Sequence, residues 1–342
     1  MTENSAILDT MPKLLARNVS KFGDSPAFRE KDLGIWQTWT WKESSEEIQK
    51  LSKGLIKLNV QEGDHVAVIG RNRPSLYWSL LACQHIGAIP VPLYQDAVAE
   101  EMEYILSHCG ASFAIVGDQE QVDKILEISD QLKGFKDIVF VDPKGLRKYD
   151  KENLHSIADI LEIGSGDSAE LDKELKRRVE KVTGDTTCVL LYTSGTTGKS
   201  KGVVQTHRAI IGASGGANQH DSWTHDDYLL SYLPMAWVGD FMISVAQGIG
   251  AGACINCPEG PETMQVDLRE IGPSIFFGPP PLWERLKTSV FIRIEDAAFF
   301  KKVAFKYFMG HAEKVGRDIL EKRKVGLLDR VKYSLGNFLI YA

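Results

Sequence analysis

Short apolar strands alternate with helical segments along the first half of this chain, and that alternation leaves few folds open. Thr40 and Glu43 have capping-box spacing, and Ile48, Leu51, Leu55 and Leu58 then recur at helical intervals, which predicts a helix over about 41–58. His65-Val66-Ala67-Val68-Ile69-Gly70 reads as a short buried strand. Pro74 opens a helix through about Ile86. Ile89 to Leu93 reads as a strand that Pro90 and Pro92 place at an edge or end early. Helix 98–109, strand 112–116, helix 119–132 and strand 137–141 follow. Right-handed crossovers turn such a series into a doubly wound, largely parallel sheet covered by helices. Residues 142–184 are polar and read as a connection plus a surface helix. The series resumes with helix 207–217, strand 228–233, helix 238–248, strand 252–256, helix 262–271 and strand 274–277.

The chain has 342 residues, enough for two domains or sub-domains with a large core. A net charge of −6 argues against a general nucleic-acid binder. No signal peptide is visible around Glu3 and Asp9, and no run approaches the length of a membrane-spanning helix. Five cysteines, an odd set in a large chain, point to a reducing, cytoplasmic setting. Cys254 and Cys257 form a lone pair and read as packed thiols beside a strand, ahead of a zinc or redox site.

The segment Tyr192-Thr193-Ser194-Gly195-Thr196-Thr197-Gly198-Lys199-Ser200-Lys201-Gly202 carries the chemistry. It follows the apolar run Cys188-Val189-Leu190-Leu191 and precedes Val203-Val204. A strand entering a glycine- and hydroxyl-rich loop makes backbone N–H groups converge on an anion. Glycines let the backbone come close, and hydroxyls and lysines add charge-assisted donors. A Walker A loop fails here on spacing, because Thr193 stands where its first glycine belongs. Gly248-Ile249-Gly250-Ala251-Gly252-Ala253 fits a dinucleotide pattern, but the elements around it come in reversed order, so it reads as a helix-to-strand turn.

This loop resembles the signature of the AMP-forming adenylating enzymes, a family that joins acyl-CoA synthetases, luciferases and peptide-synthetase adenylation domains. Its usual pattern is Thr-Ser-Gly-Thr-Thr-Gly-x-Pro-Lys-Gly, and here Ser200 replaces the proline. The stretch 63–68 with Asn72, the stretch 87–93, and Leu233-Pro234-Met235-Ala236-Trp237-Val238-Gly239-Asp240 resemble further family motifs, the last similar to Leu-Pro-Leu-x-His. The resemblance runs from about residue 20 to the end and implies two largely parallel α/β sub-domains of the family's large N-terminal domain. The expected boundaries are 1–184 for the first, with an N-terminal helix and the parallel sheet, 185–293 for the second, and 294–342 for a basic helical insertion. The later adenine, ribose and hinge motifs and the C-terminal lysine find no match, so the chain looks like roughly the first half of a synthetase, and no catalytic residue is assigned.

The resemblance implies the activity of a long-chain fatty acid–CoA ligase, with ATP, Mg2+ and CoA as its co-reactants. Polyphosphate contacts would come from Thr193, Ser194, Thr196, Thr197 and Lys201, with backbone access at Gly195 and Gly198. Thr196 is the candidate Mg2+ contact, and Lys199 faces solvent. Trp237, Val238, Gly239, Phe277 and Gly278 are acyl-pocket candidates, each set against plain core packing. An inactive nucleotide- or acyl-binding remnant and an aryl- or amino-acid-adenylating relative are the alternatives.

Residues 294–342 hold ten basic against six acidic side chains, with Phe299, Phe300, Val303, Phe305, Tyr307, Phe308 and Met309 among the early lysines. A basic helix with an apolar face suits an anionic membrane surface, and a helix docked on the sheet is the plainer reading. Two rivals are weak. Gly212-Ala213-Ser214-Gly215-Gly216 fits a nucleophile elbow, yet Ser214 falls late in a helix begun at Thr206. His220, Asp221, His225, Asp226 and Asp227 read as a solvated loop, not a metal site. Oligomeric state is not legible.

Overall fold

A computed structural model describes residues 8–149, 152–193 and 199–338. The chain divides into two compact units at the Phe276–Phe277 peptide. The first runs α1 (Met11–Phe22), β1 (Pro26–Asp32), β2 (Ile35–Thr40), α2 (Trp41–Lys57), β3 (His65–Ile69), α3 (Pro74–His85), β4 (Ile89–Leu93), α4 (Ala99–Cys109), β5 (Ala111–Val116), α5 (Gln119–Ile128), β6 (Asp137–Phe140), β7 (Leu154–Ser156), α6 (Ile157–Ser165), α7 (Ala169–Lys181), β8 (Thr187–Thr193), β9 (Lys201–Thr206), α8 (His207–Asp221) and β10 (Tyr228–Leu230). It closes with α9 (Val238–Asp240), a π-helix (Phe241–Gln247), α10 (Gly248–Ala251), β11 (Cys254–Cys257) and α11 (Met264–Ile271).

A five-stranded sheet has the order β4-β3-β5-β6-β7, parallel throughout. Its central strands β3 and β5 are apolar in nearly unbroken runs because both faces are buried. Val66, Val68, Phe113 and Ile115 enter one hydrophobic cluster. Their neighbours Ala67, Ile69, Ala114 and Val116 enter another on the opposite face, as the two-residue strand period requires. β4, with its two prolines, is an edge strand in this order. The Thr40–Glu43 capping box forms, and it starts α2.

Three sequence expectations need correction. The region 142–184 carries β7 and two helices, not one surface helix. Helix α6 buries Ile157, Ile160 and Gly164, and glycines let it lie against α2: a Cβ on Gly54 would overlap the Ile160 carbonyl, and one on Gly164 the Lys50 carbonyl. Strand 274–277 is reduced to a single parallel bridge between Leu229 and Ile275. Helix 238–248 is interrupted by the π-helical stretch and continues to Ala251. It then turns at Gly252, whose φ of +82° favours glycine, so the glycine-rich run there is a helix-to-strand turn.

A second sheet has the order β10-β11-β1-β2. Here the N-terminal hairpin, antiparallel within itself, pairs parallel with β11 in the register Phe28 to Ile255.

The second unit is helical: α12 (Pro280–Glu295), α13 (Phe299–Leu320) and α14 (Leu327–Gly336). Phe305 and Val315 are its buried apolar residues, and Phe291 meets Phe305 edge to face at 5.6 Å. Among the described residues, no helix is long and apolar enough to cross a membrane.

Candidate functional site

Strand β8 leads into the loop. Cys188, Val189 and Leu191 are fully buried, which anchors the strand up to its exposed end at Thr193. β9 returns antiparallel, pairing Thr193 with Lys201, Tyr192 with Gly202 and Leu191 with Val203. The loop therefore joins two paired strands. Thr193 and Lys201, directly opposite, present hydroxyl and ammonium on one face of the ladder. Gly202 is packed closely, since a Cβ there would stand 3.1 Å from Leu190 Cδ1 and 3.3 Å from the Tyr192 ring. Ser194, Gly195, Thr196, Thr197 and Gly198 lie outside the described residues. Lys199 is exposed, and its ammonium lies 4.9 Å over the centroid of the Tyr104 ring.

The Leu233–Asp240 segment forms a second locus, held by a buried polar network that sequence reasoning missed. Asn72 Nδ2 donates to the Leu233 carbonyl at 2.8 Å and to the Tyr77 hydroxyl at 2.8 Å. The Tyr77 hydroxyl donates to Asp240 Oδ2 at 2.7 Å. Ser231 and Ser244 hydroxyls reach Asp240 Oδ1 at 3.1 and 2.9 Å. Burial pushes the Asp240 carboxyl up to about 6, against the pull of these donors. It pushes the Tyr77 hydroxyl well up too, so that group stays a donor. The available signal was an acid inside the apolar run 233–246.

Within this segment Met235 and Ala236 are buried, Trp237 is half-buried and Val238 is exposed. Gly239 lies directly under the Trp237 ring, where an added Cβ would overlap it. Phe276 stacks on Tyr232 at 5.6 Å. Phe277, exposed, and Gly278 belong to the helical unit, where Trp283 Nε1 donates to the Gly278 carbonyl at 2.8 Å.

Ser214 sits within α8, buried, its hydroxyl donating to the Ile211 carbonyl at 3.2 Å. Asp227 accepts from Thr224 N at 2.7 Å and Ser274 Oγ at 2.8 Å, and His225 stacks on Phe22. Cys254 and Cys257 are buried free thiols, and burial pushes Cys254 up to about 12. Among the described residues, no three His, Cys, Asp or Glu side chains are grouped to hold a metal ion.

The family model for AMP-binding enzymes matches residues 15–327. The chain belongs to that family. Among AMP-binding relatives, the human long-chain-fatty-acid–CoA ligase ACSBG2 is 26% identical over 339 residues, covering 97% of this chain and 49% of the relative. The mouse ACSBG2 is 29% identical over 346 residues, covering 97% and 50%. The chain thus spans about half the length of these relatives. Solved structures share the fold. The N-terminal domain of FACL13 from Mycobacterium tuberculosis aligns with a TM-score of 0.64 at 20% identity, over 81% of this chain and 65% of that one. The acetoacetyl-CoA synthetase from Streptomyces lividans gives 0.66 at 19%, over 78% and 42%. The mixed α/β architecture with its parallel sheets is that of the N-terminal domain of adenylating enzymes.

Proposed function

We propose that this chain provides the phosphate- and acyl-binding part of an AMP-forming long-chain fatty acid–CoA ligase. In that reaction a carboxylate oxygen attacks the α-phosphorus of ATP. The bond to the β-phosphate breaks and pyrophosphate leaves with the electron pair. The CoA sulfur then attacks the acyl carbonyl, and AMP leaves. The substrate brings its own ionised nucleophile, so the protein's task is to hold charge and align two groups. The observation that carries the reading is the β8–β9 ladder, with Thr193 facing Lys201 at the two ends of a glycine- and hydroxyl-rich loop. A hydroxyl and an ammonium on one face suit a polyphosphate. In this reading Ser194, Thr196 and Thr197 add donors, Gly195 and Gly198 give backbone access, and Thr196 would hold a Mg2+ that would neutralise phosphate charge. The acyl chain lies against Trp237, Val238 and Gly239. The ACSBG2 relatives are long-chain-fatty-acid–CoA ligases, which supports a long-chain fatty acid as the substrate.

Calorimetric titration of the chain with MgATP tests the site: binding that Lys201→Ala weakens about tenfold or more supports it. Absence of binding overturns it. Pyrophosphate release with a series of fatty acids then separates a ligase from a chain that binds without turnover, and aryl acids in the same series separate the substrate classes.

We also infer that α13 meets anionic lipid. Phe299, Phe300, Val303 and Tyr307 are exposed beside Lys301 and Lys306, the pairing of apolar and basic groups that membrane surfaces retain.

A further inference from the structure

Helix α4 touches both shoulders of the phosphate-loop hairpin. On the entry side, His108 Nδ1 lies 2.6 Å from the Tyr192 hydroxyl, with the two rings edge to face at 5.7 Å. On the exit side, the Tyr104 hydroxyl donates to the Ser200 carbonyl at 3.1 Å, and the Lys199 ammonium lies over the Tyr104 ring. Tyr104 and His108 are one helical turn apart and stack on each other at 5.6 Å, so the two grips form one unit. The helix that carries them is itself fixed. Met102, Ile105 and Leu106 are buried in the same hydrophobic cluster as Leu190 and Tyr192 of β8. Glu100, Glu101 and Glu103 line, with Lys199, a cleft of about 740 Å³ along this helix.

We infer that Tyr104 and His108 are positioning residues. They set the spacing of Tyr192 and Ser200, so that Thr193 and Lys201 meet a polyphosphate together, and they hold Lys199 away from it. This inference rests on the reading that the loop binds the phosphates of ATP. Neither residue needs to touch the nucleotide. The grip combines a ring stack, a hydrogen bond to a main-chain carbonyl and a cation over an aromatic face, and each part responds to a different substitution.

The test is MgATP titration of the whole chain, with hydrogen exchange followed on the same proteins. Tyr104→Ala and His108→Ala each weaken ATP binding by roughly five- to tenfold. They also speed amide exchange at residues 199–204, while exchange at 65–69 stays as in the parent. Tyr104→Phe keeps the ring and loses only the bond to the Ser200 carbonyl, so its affinity falls between parent and Tyr104→Ala. Lys199→Ala binds ATP within about twofold of the parent. A role in packing alone would lower the melting temperature and leave the ATP affinity of the folded protein unchanged. Variants that bind as the parent does overturn the positioning role while the phosphate-loop reading stands. A parent chain that binds no ATP overturns both.

Discussion

The Tyr77 hydroxyl donates a 2.7 Å hydrogen bond to Asp240, tying the helix after β3 to the segment after β10. The carboxylate it meets is buried, and burial holds that carboxyl up near 6. A carboxyl with a folded pKa above its unfolded value takes up its proton more readily in the folded state. Its stabilising contribution is full below about pH 4 and is lost as pH rises through about 6. Asp240→Asn abolishes that slope. Between pH 4.5 and 7.5 the parent should lose about 2 kcal/mol relative to the variant. Unfolding free energies across that range check it, and a constant difference refutes it.

His207 carries the opposite sign. Burial, and then the nearby His85, hold its imidazole down at about 4. Its Nδ1 accepts from the Met11 amide at 3.3 Å. A base depressed in the folded state contributes stability that is present above about pH 6.5 and lost as pH falls toward 4. His207→Asn keeps an acceptor for Met11 and removes the titration. Denaturant unfolding at pH 7 and pH 5 should show the acid-induced loss cut by about 2 kcal/mol. An unchanged loss would assign the acid sensitivity elsewhere, with His85, held down at about 4 by burial, the next candidate.

Gly54 sets how closely α2 and α6 approach, because a side chain there meets the Ile160 carbonyl. Alanine is the better helix former by about 1 kcal/mol, yet the overlap outweighs it. Gly54→Ala should destabilise by about 1–3 kcal/mol. Urea unfolding decides the sign, and a stability gain would mean the helices part without cost.

Gly239→Ala should push the Trp237 ring from its place. If the acyl chain lies there, fatty-acid affinity falls about tenfold and ATP affinity stays within about twofold. Titration with both ligands, with Trp fluorescence as a monitor, separates this from general unfolding. Equal losses for the two ligands would remove the acyl assignment.

Replacing Phe299 and Phe300 together by serine should abolish pelleting with phosphatidylserine-rich vesicles and leave ATP titration unchanged. High salt should weaken pelleting of the parent. Equal pelleting of parent and variant would mean that α13 does not meet lipid.

Local signals reported local structure well. The capping box at Thr40 and Glu43 is a short-range device, and it forms as its spacing says. Unbroken apolar runs such as Val66–Ile69 mark strands buried on both faces, which is why the parallel sheet was legible. Pro90 and Pro92 placed β4 at an edge for the same kind of reason: a missing N–H leaves no ladder bond to make. What was not legible depends on distant partners. Gly164 falls in a region that reads only as a connection plus a surface helix, because its use as a contact point appears only when Lys50 is beside it. Asn72, Tyr77, Ser231 and Asp240 are ordinary polar residues one by one, and only the fold brings them together. Thr193 and Lys201 were picked out by motif, but their facing register required the β8–β9 pairing.

The pairing of Phe28 with Ile255 has a consequence for how the chain is made. A ribosome adding about 5–20 residues per second needs roughly 10–45 s to travel from one to the other. For that interval the newborn β1–β2 hairpin, with Phe28, Trp36 and Trp39, waits without its neighbour strand. An unpaired edge of that kind invites other nascent chains. Slowed translation ahead of β11 would lengthen the wait and favour inclusion bodies, and a holdase chaperone that covers the hairpin would shorten the exposure.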